Sequence, residues 1–394
     1  MKVIVVGAGP VGLVTAARLA AAGIPVEVLE AADRLGDELR ASTFHPPTLD
    51  LLESLAVTDR LLERGLICPS WQVRLHPSGE RVTFDLSVLA GETRHPYRLQ
   101  VPQHQLCRLL LDRLDRAGVP VRFGHRVTGL RQHPDGVEVE VGGLVEPVEW
   151  RRCAVLVGAD GARSAVREAA GIGFPGMTYP ETTILATTTF PFQERLTGLS
   201  HVNYVWSPDG TFSLLRLPDL WRCSLYPGDG EPVAEAATPQ AVRRKLAGVV
   251  PDAGDHPVGE IRPYRVHQRL ADTFRAGRVM LAGDAAHLNS PSGGMGMNGG
   301  IHDAFALTDA LVRIAGGGRW ELLDRYGRRR RTVVRDEIIG QADRNRDRMW
   351  QRDPAHRRRE LAALRRITAD PVALKRHLLR TSMIEGLRRA ETIS

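Results

Sequence analysis

Residues 2–30 read KVIVVGAGPVGLVTAARLAAAGIPVEVLE. Lys2–Val6 is an apolar run with the length of a buried strand, and Gly7-Ala8-Gly9-Pro10-Val11-Gly12 follows without a break. An alanine- and leucine-rich helical pattern then runs to Gly23, and Pro25–Glu30 reads as a second strand that ends on an acid. Strand, GxGxxG, helix, strand and acid in this order describe a dinucleotide-binding unit. The glycines permit a tight turn, close approach of backbone to a pyrophosphate and close packing of the helix. Glu30 is placed to accept hydrogen bonds from a ribose with a free 2′-hydroxyl, which argues against NADP in this position and leaves NAD or FAD.

Two more strand-to-loop turns have the same character. Ala154–Val157 leads into Gly158-Ala159-Asp160-Gly161-Ala162-Arg163-Ser164 and a helix from Ala165. Arg278–Asp303, RVMLAGDAAHLNSPSGGMGMNGGIHD, begins with a short buried strand, sets Asp284 at its carboxyl end, and continues through five glycines into a helix beginning near Met297-Asn298. The amides of that helix favour negative charge on whatever lies before them. A glycine-rich connector alone would leave the acid before the loop unexplained. Three such turns, nearly 280 residues apart from first to last, suit one extended ligand, FAD, better than NAD held by a single unit.

Between the turns the pattern changes. Leu35–Arg64 reads as a loop and then a helix, with Arg40 either beside a pyrophosphate or simply on the surface; Gln103 opens a helix after Pro102. Trp71–Leu86 alternates around Pro77-Ser78-Gly79-Glu80, Val119–Val148 alternates around Pro134-Asp135-Gly136, and 175–265 reads as strands separated by Pro-Asp-Gly and Pro-Gly-Asp-Gly turns. From Phe305 onward the pattern is helical. The expected architecture is α/β: a discontinuous Rossmann-type FAD-binding domain (1–70, 99–174 and 266–340), an inserted β-sheet substrate domain (71–98 and 175–265) and a helical C-terminal segment (341–394).

The composition fits an ordinary globular protein, with 394 residues, 43% hydrophobic and 25% charged. The four cysteines are far apart and form no CxxC pair, which speaks against zinc and a disulfide framework and suits a reducing cytoplasm. No metal site is expected. MKVIVVGAGP is too short an apolar run for a signal peptide, and no run approaches the roughly 20 apolar residues of a membrane span. Of the net charge of +7, Arg313–Ser394 carries 22 Lys and Arg against 11 Asp and Glu. These arginines alternate with acids and leucines, as in RRRELAALRRI, so they are expected on helix faces in local pairs rather than on nucleic acid. Leu374, Leu378, Met383, Ile384 and Leu387 recur at helical spacing and predict one face packed on the body or on a second subunit, in a monomer or homodimer.

From Lys2 to about Leu311 the chain resembles the single-component FAD-dependent aromatic hydroxylases, the para-hydroxybenzoate hydroxylase-like flavoprotein monooxygenases. The resemblance rests on GAGPVG with Glu30, on GADGARSAVRE and on GDAAHLNSPSGGMGMNGGIHDA. It implies that Gly7, Gly9, Gly12 and Glu30 bind the ADP half of FAD, that Asp160 and Gly161 lie near the pyrophosphate, and that Asp284 holds the ribityl chain. It further implies contacts from Arg40 and Gln103, and puts Pro291, Gly296, Met297 and Asn298 beside the isoalloxazine. The activity implied is reduction of FAD by NADH or NADPH and reaction with O2 to a C4a-hydroperoxide that hydroxylates an aromatic or heteroaromatic small molecule. Tyr204 and Pro291 are then the residues at the reacting ring, with Tyr204 hydrogen-bonding a substrate phenol. The family's carboxylate-clamping arginine and serine are not recognisable, although Arg216 and Arg222 lie nearby, so para-hydroxybenzoate itself is not the expected substrate. Flavin-dependent halogenation, isoprenoid reduction and a non-catalytic flavin-binding scaffold are the alternatives, and the halogenase WxWxIP signature is missing.

Overall fold

The computed structural model describes residues 1–143, 148–208 and 210–394. Residues 144–147 of the expected strand ending at Val148, and Asp209 of the expected Pro208-Asp209-Gly210 turn, lie outside the described residues. Val3–Val6 occupies the middle of a six-stranded sheet, paired in parallel with Val26–Leu29 on one side and Val155–Gly158 on the other. Val279–Leu281 continues the sheet in parallel beyond Val155–Gly158, and Val121–Arg122 does so beyond Val26–Leu29. Strands covered on both faces need side chains that are apolar in both directions, which is why Val3, Ile4 and Val5 run without alternation and are fully buried. The helix Pro10–Ala21 lies on this sheet with the helix Gly296–Ala315 against it. Contact is close at Gly300, where a Cβ would stand 2.6 Å from Val11 Cγ2 and 2.9 Å from Gly283 Cα.

A topological consequence follows for the site. Gly7–Gly9, Ala159–Gly161 and Gly283–Asp284 leave the carboxyl ends of three neighbouring parallel strands, Val3–Val6, Val155–Gly158 and Val279–Leu281. Turns more than 270 residues apart in sequence therefore line one crevice, the place where open α/β sheets hold ligands.

The second large sheet has eight strands, in the order His287–Leu288, Val258–Leu270, Gly176–Thr188, Trp221–Leu225, Gly210–Arg216, Val202–Ser207, Ser70–Leu75 and Arg81–Asp85. Along Trp221–Leu225 the odd residues Trp221, Cys223 and Leu225 are buried with Val205, Phe212 and Leu214 in one apolar cluster, while Arg222 and Ser224 face the opposite way. This is the period-two alternation of a strand with one face packed on a core. The stretch 175–265 is less uniformly β than the alternation predicts. Thr238 caps a helix over Pro239–Ala247 by accepting from Ala241 N at 3.2 Å, and Val242 and Leu246 of that helix cover the apolar face of the sheet.

Helices fill the C-terminal part. Asp353 and Asp370 cap the helices Pro354–Ala369 and Pro371–Thr381, whose prolines sit where a missing amide costs nothing. Leu374, Leu378 and Ile384 pack with Trp71, Phe84 and Trp206, and Met383 joins the main core; Leu387 is half-buried. Several basic residues of the segment pair with acids outside it: Arg365 with Glu80, Lys375 and Arg388 with Glu92, and Arg389 with Asp336 and Glu337. No described helix is long and apolar enough to cross a membrane.

Candidate active site

The crevice at the strand ends opens into a cavity of about 540 Å³ bounded on its other side by the polar face of the eight-stranded sheet. That volume lies within the range of small-molecule and cofactor sites. Of the residues singled out from sequence, Gly9, Arg40, Gln103, Gly161, Tyr204, Asp284, Pro291, Gly296 and Met297 line it. Gly7, Gly12, Glu30, Asp160 and Asn298 are not among the residues that line it.

Gly7 has φ +105°, and a Cβ there would stand 2.3 Å from the Ala159 carbonyl oxygen; a Cβ on Gly12 would stand 1.9 Å from the Gly7 carbonyl oxygen. Both glycines are required by backbone packing. Gly9 differs, because nothing lies within 4 Å of its Cβ position, so its exposed backbone is the part of the motif that a ligand can approach. Gly9 is also the N-cap of Pro10–Ala21 and offers no side-chain acceptor to that helix. Gly296–Ala315 likewise starts without a side-chain cap, after Met295. Two uncapped helix N-termini thus meet the same cavity, and their first-turn amides favour negative charge there.

The acids divide by role. Glu30 accepts from Ala8 N at 2.7 Å and from Ala32 N at 2.9 Å, tying the glycine turn to the end of the second strand. Asp160 turns away from the cavity, accepting from Ser164 Oγ at 2.5 Å and Val166 N at 3.1 Å at the start of the helix Ala165–Ala169. Burial raises its carboxyl above the usual range and these hydrogen bonds work against the rise. Asp284 alone opens on the cavity. Its side chain is accessible from that space, yet the protein around it restricts solvation enough to raise its carboxyl, while His287 and Arg40 pull it back.

Behind Asp284 stands a buried network. Asp303 accepts from Gly283 N at 3.0 Å, from His287 Nε2 at 2.8 Å and from Arg330 Nε at 2.6 Å. Burial acts to raise the Asp303 carboxyl, but Arg330 and His287 together outweigh it and hold the group at about 2. The turn that presents Asp284 is thereby anchored to two helices.

Gln103 starts the helix Gln103–Arg116, and its backbone N–H donates to Ala41 O at 2.9 Å. Arg40, at the rim, is 66% exposed and pairs with Glu38 at 2.8 Å. The side chain of Asn298 is spent inside the protein: its Oδ1 accepts from His45 N at 2.9 Å, and its Nδ2 donates to Thr43 O at 2.8 Å and Gly294 O at 2.7 Å. It shapes the loop at Gly293-Gly294 rather than facing the cavity.

Strand register explains the opposite wall. Tyr204, Ser213, Ser224, Leu185 and Arg262 are successive cross-strand neighbours, so one row of side chains crosses four strand boundaries and all five line the cavity. Arg222 lines it too, with Nε buried and unpartnered, whereas Arg216 lies over the Trp221 ring. Tyr204 also borders a second recess of about 40 Å³, together with Trp71, Arg98, Trp206, Arg348 and His377. Arg98 and His377 went unremarked in the sequence, where neither sits in a motif. Alternation along 202–225 is the signal that could have identified Ser213 and Ser224.

The donor set and the shape suit a flavin dinucleotide: bare backbone at Gly9 and Gly161, two uncapped helix N-termini, and one accessible carboxylate at Asp284. Known proteins point the same way. A family described as FAD binding domain matches residues 1–339. The para-nitrophenol 4-monooxygenase of Pseudomonas sp. (strain WBC-3) is 35% identical, over 98% of this chain and 96% of its own. The 6-hydroxy-3-succinoylpyridine 3-monooxygenase of Pseudomonas putida is 34% identical over 90% of each chain. The crystal structure of p-nitrophenol 4-monooxygenase from Pseudomonas putida DLL-E4 superposes with a TM-score of 0.91 at 33% identity, covering 98% of this chain and 97% of that one. With motifs, fold and cavity in agreement with these relatives, the chain belongs to the single-component FAD-dependent aromatic hydroxylases, the flavoprotein monooxygenases.

Proposed function

We propose that the protein uses NADH or NADPH and O2 to hydroxylate a small aromatic or heteroaromatic ring. In balance, ring C–H, O2, NAD(P)H and a proton give ring C–OH, NAD(P)+ and water. Bound FAD supplies the hydride acceptor and the oxygen activation. The observation that carries the reading is the cavity itself, in which the segment Pro291–Met297 and the Tyr204–Ser213–Ser224 row face the same space. The relatives, a nitrophenol and a hydroxypyridine monooxygenase, support an aromatic or heteroaromatic ring that carries a hydroxyl.

In this reading 1–70, 99–174 and 266–340 form the cofactor domain, and 71–98 and 175–265 the substrate domain. Gly9 and the amides of Pro10–Ala21 take the pyrophosphate, and Asp284 accepts hydrogen bonds from the ribityl chain. The uncapped start of Gly296–Ala315 favours negative charge beside it, and Pro291 and Met297 wall the ring. The Tyr204 hydroxyl accepts or donates a hydrogen bond at a substrate oxygen and so orients the ring. Leu185, Leu215 and Met349 limit water in the same space. The test is NAD(P)H consumption by FAD-loaded protein against a panel of aromatic compounds, with product identified by mass. Ring-stimulated consumption with a product heavier by one oxygen is expected. Halide incorporation, reduction of an isoprenoid, or no turnover at all would replace the reading with a halogenase, a reductase or a scaffold.

A further inference from the structure

Arg98 begins the strand Arg98–Gln100, paired with Cys68, and is 3% exposed. Among the described residues its Nε and Nη1 have no hydrogen-bond partner, and no carboxylate forms an ion pair with it. Its neighbours are Tyr204, which lines the same recess, and the Trp71 ring, whose centroid lies 5.3 Å from the guanidinium carbon. A buried cation without a counter-charge is costly, and a cation-π contact offsets only part of that cost.

The recess beside it is built of the same chemistry. None of its lining residues is Asp or Glu, and among the described residues the buried nitrogens Trp71 Nε1, Trp206 Nε1 and His377 Nε2 also lack partners. Burial, with Arg348, Arg380 and Arg98, lowers His377 to about 4, so the imidazole is neutral near pH 7. The recess, about 40 Å³, is large enough for one functional group and too small for a ring. It shares Tyr204, Ser292 and Met349 with the main cavity, so a group seated in it can belong to a ring lying in the other.

We propose that Arg98 is a specificity-determining residue that seats an anionic oxygen of the substrate, a phenolate or a carboxylate, in this recess while the ring lies in the cavity. The C-terminal helices then complete the site, because Arg348 and His377 form part of the wall. The proposal rests on the monooxygenase reading, and its test is a binding measurement that needs no turnover.

FAD-loaded protein is titrated at pH 8, by flavin absorbance and by calorimetry, with two pairs of an anion and a neutral analogue: 4-nitrophenol against 4-nitroanisole, and 4-hydroxybenzoate against 4-hydroxybenzamide. At least one anionic member should bind about 10-fold or more tightly than its neutral partner, and the pair showing this identifies phenolate or carboxylate. Arg98→Met should weaken the anion by about 10- to 100-fold, the range for hydrogen bonds to charged groups, and change the neutral partner less than about 3-fold. Its melting temperature without ligand should be equal or higher, since an unpaired charge has been removed. Arg98→Lys should retain part of the preference. The proposal is overturned by equal affinity for both members of both pairs in the unaltered protein, a result that needs no variant to fold. Equal weakening of anion and neutral ligand in Arg98→Met would also overturn it, as would loss of the preference in Arg222→Met but not in Arg98→Met. An Arg98-dependent preference without oxygenated product would refute the monooxygenase reading and leave the anion seat standing.

Discussion

Asp303→Asn is the substitution whose effect can be worked through from the structure. It preserves shape but removes the charge that faces Arg330, a guanidinium only 1% exposed. A single amide oxygen cannot replace both carboxylate oxygens, which now take Gly283 N, His287 and Arg330 together. Breaking a buried pair from one side costs about 3–5 kcal/mol. With an unfolding entropy of about 2.1 cal/mol/K per residue over 394 residues, the melting temperature should fall by about 4–6 °C if the chain melts as one unit. The loss should depend on pH in a defined direction. The Asp303 carboxyl is held at about 2 against an ordinary 3.8, so its stabilisation is present above about pH 4 and disappears as pH falls through the folded value. The gap between parent and variant should therefore be full at pH 7 and narrow below pH 4. Adding Arg330→Met to Asp303→Asn should restore part of the stability, because the stranded charge is then gone. Calorimetric melts of the three proteins at pH 7 provide the measurement. A single variant melting within 1 °C of the parent would refute the argument that this pair anchors the Asp284 turn.

Asp284→Ala should weaken FAD retention by about 10- to 100-fold through loss of one charge-assisted acceptor, read by flavin titration of the stripped protein; unchanged affinity would remove Asp284 from the cofactor site. Tyr204→Phe should lower oxygenated product relative to NAD(P)H consumed while FAD remains bound, and unchanged coupling with the true substrate would mean that the hydroxyl takes no part. Ending the chain at Asp370 should uncover the stacked Trp71 and Phe84 rings, 4.0 Å apart at their centroids, together with the surface under Leu374, Leu378 and Ile384. Reduced solubility is expected on expression, and a soluble, fully active truncation would show that the last helices are dispensable.

What could be read from the sequence alone is what the local backbone dictates. Gly7 and Gly12 are written into the motif because a side chain at either would collide with main chain, and the uninterrupted Val-Ile-Val-Val run because a central parallel strand is covered on both faces. The capping aspartates before Pro354 and Pro371 and the period of the tail leucines are equally local. Partnership between distant residues is not local, and the tertiary structure decides it. The Asp160 carboxylate bonds to Ser164 and Val166, and the Asn298 side chain to Thr43, His45 and Gly294, partners that neither motif names. The tail arginines look self-sufficient in sequence, but Glu80 and Glu92, nearly 300 residues away, receive three of the basic side chains. Arg98 is the clearest case. In RHPYRLQ it is an ordinary charged residue, and it becomes a buried, unpartnered cation only because register sets its strand beside Cys68 while Trp71, Tyr204 and His377 arrive from three other segments to enclose it.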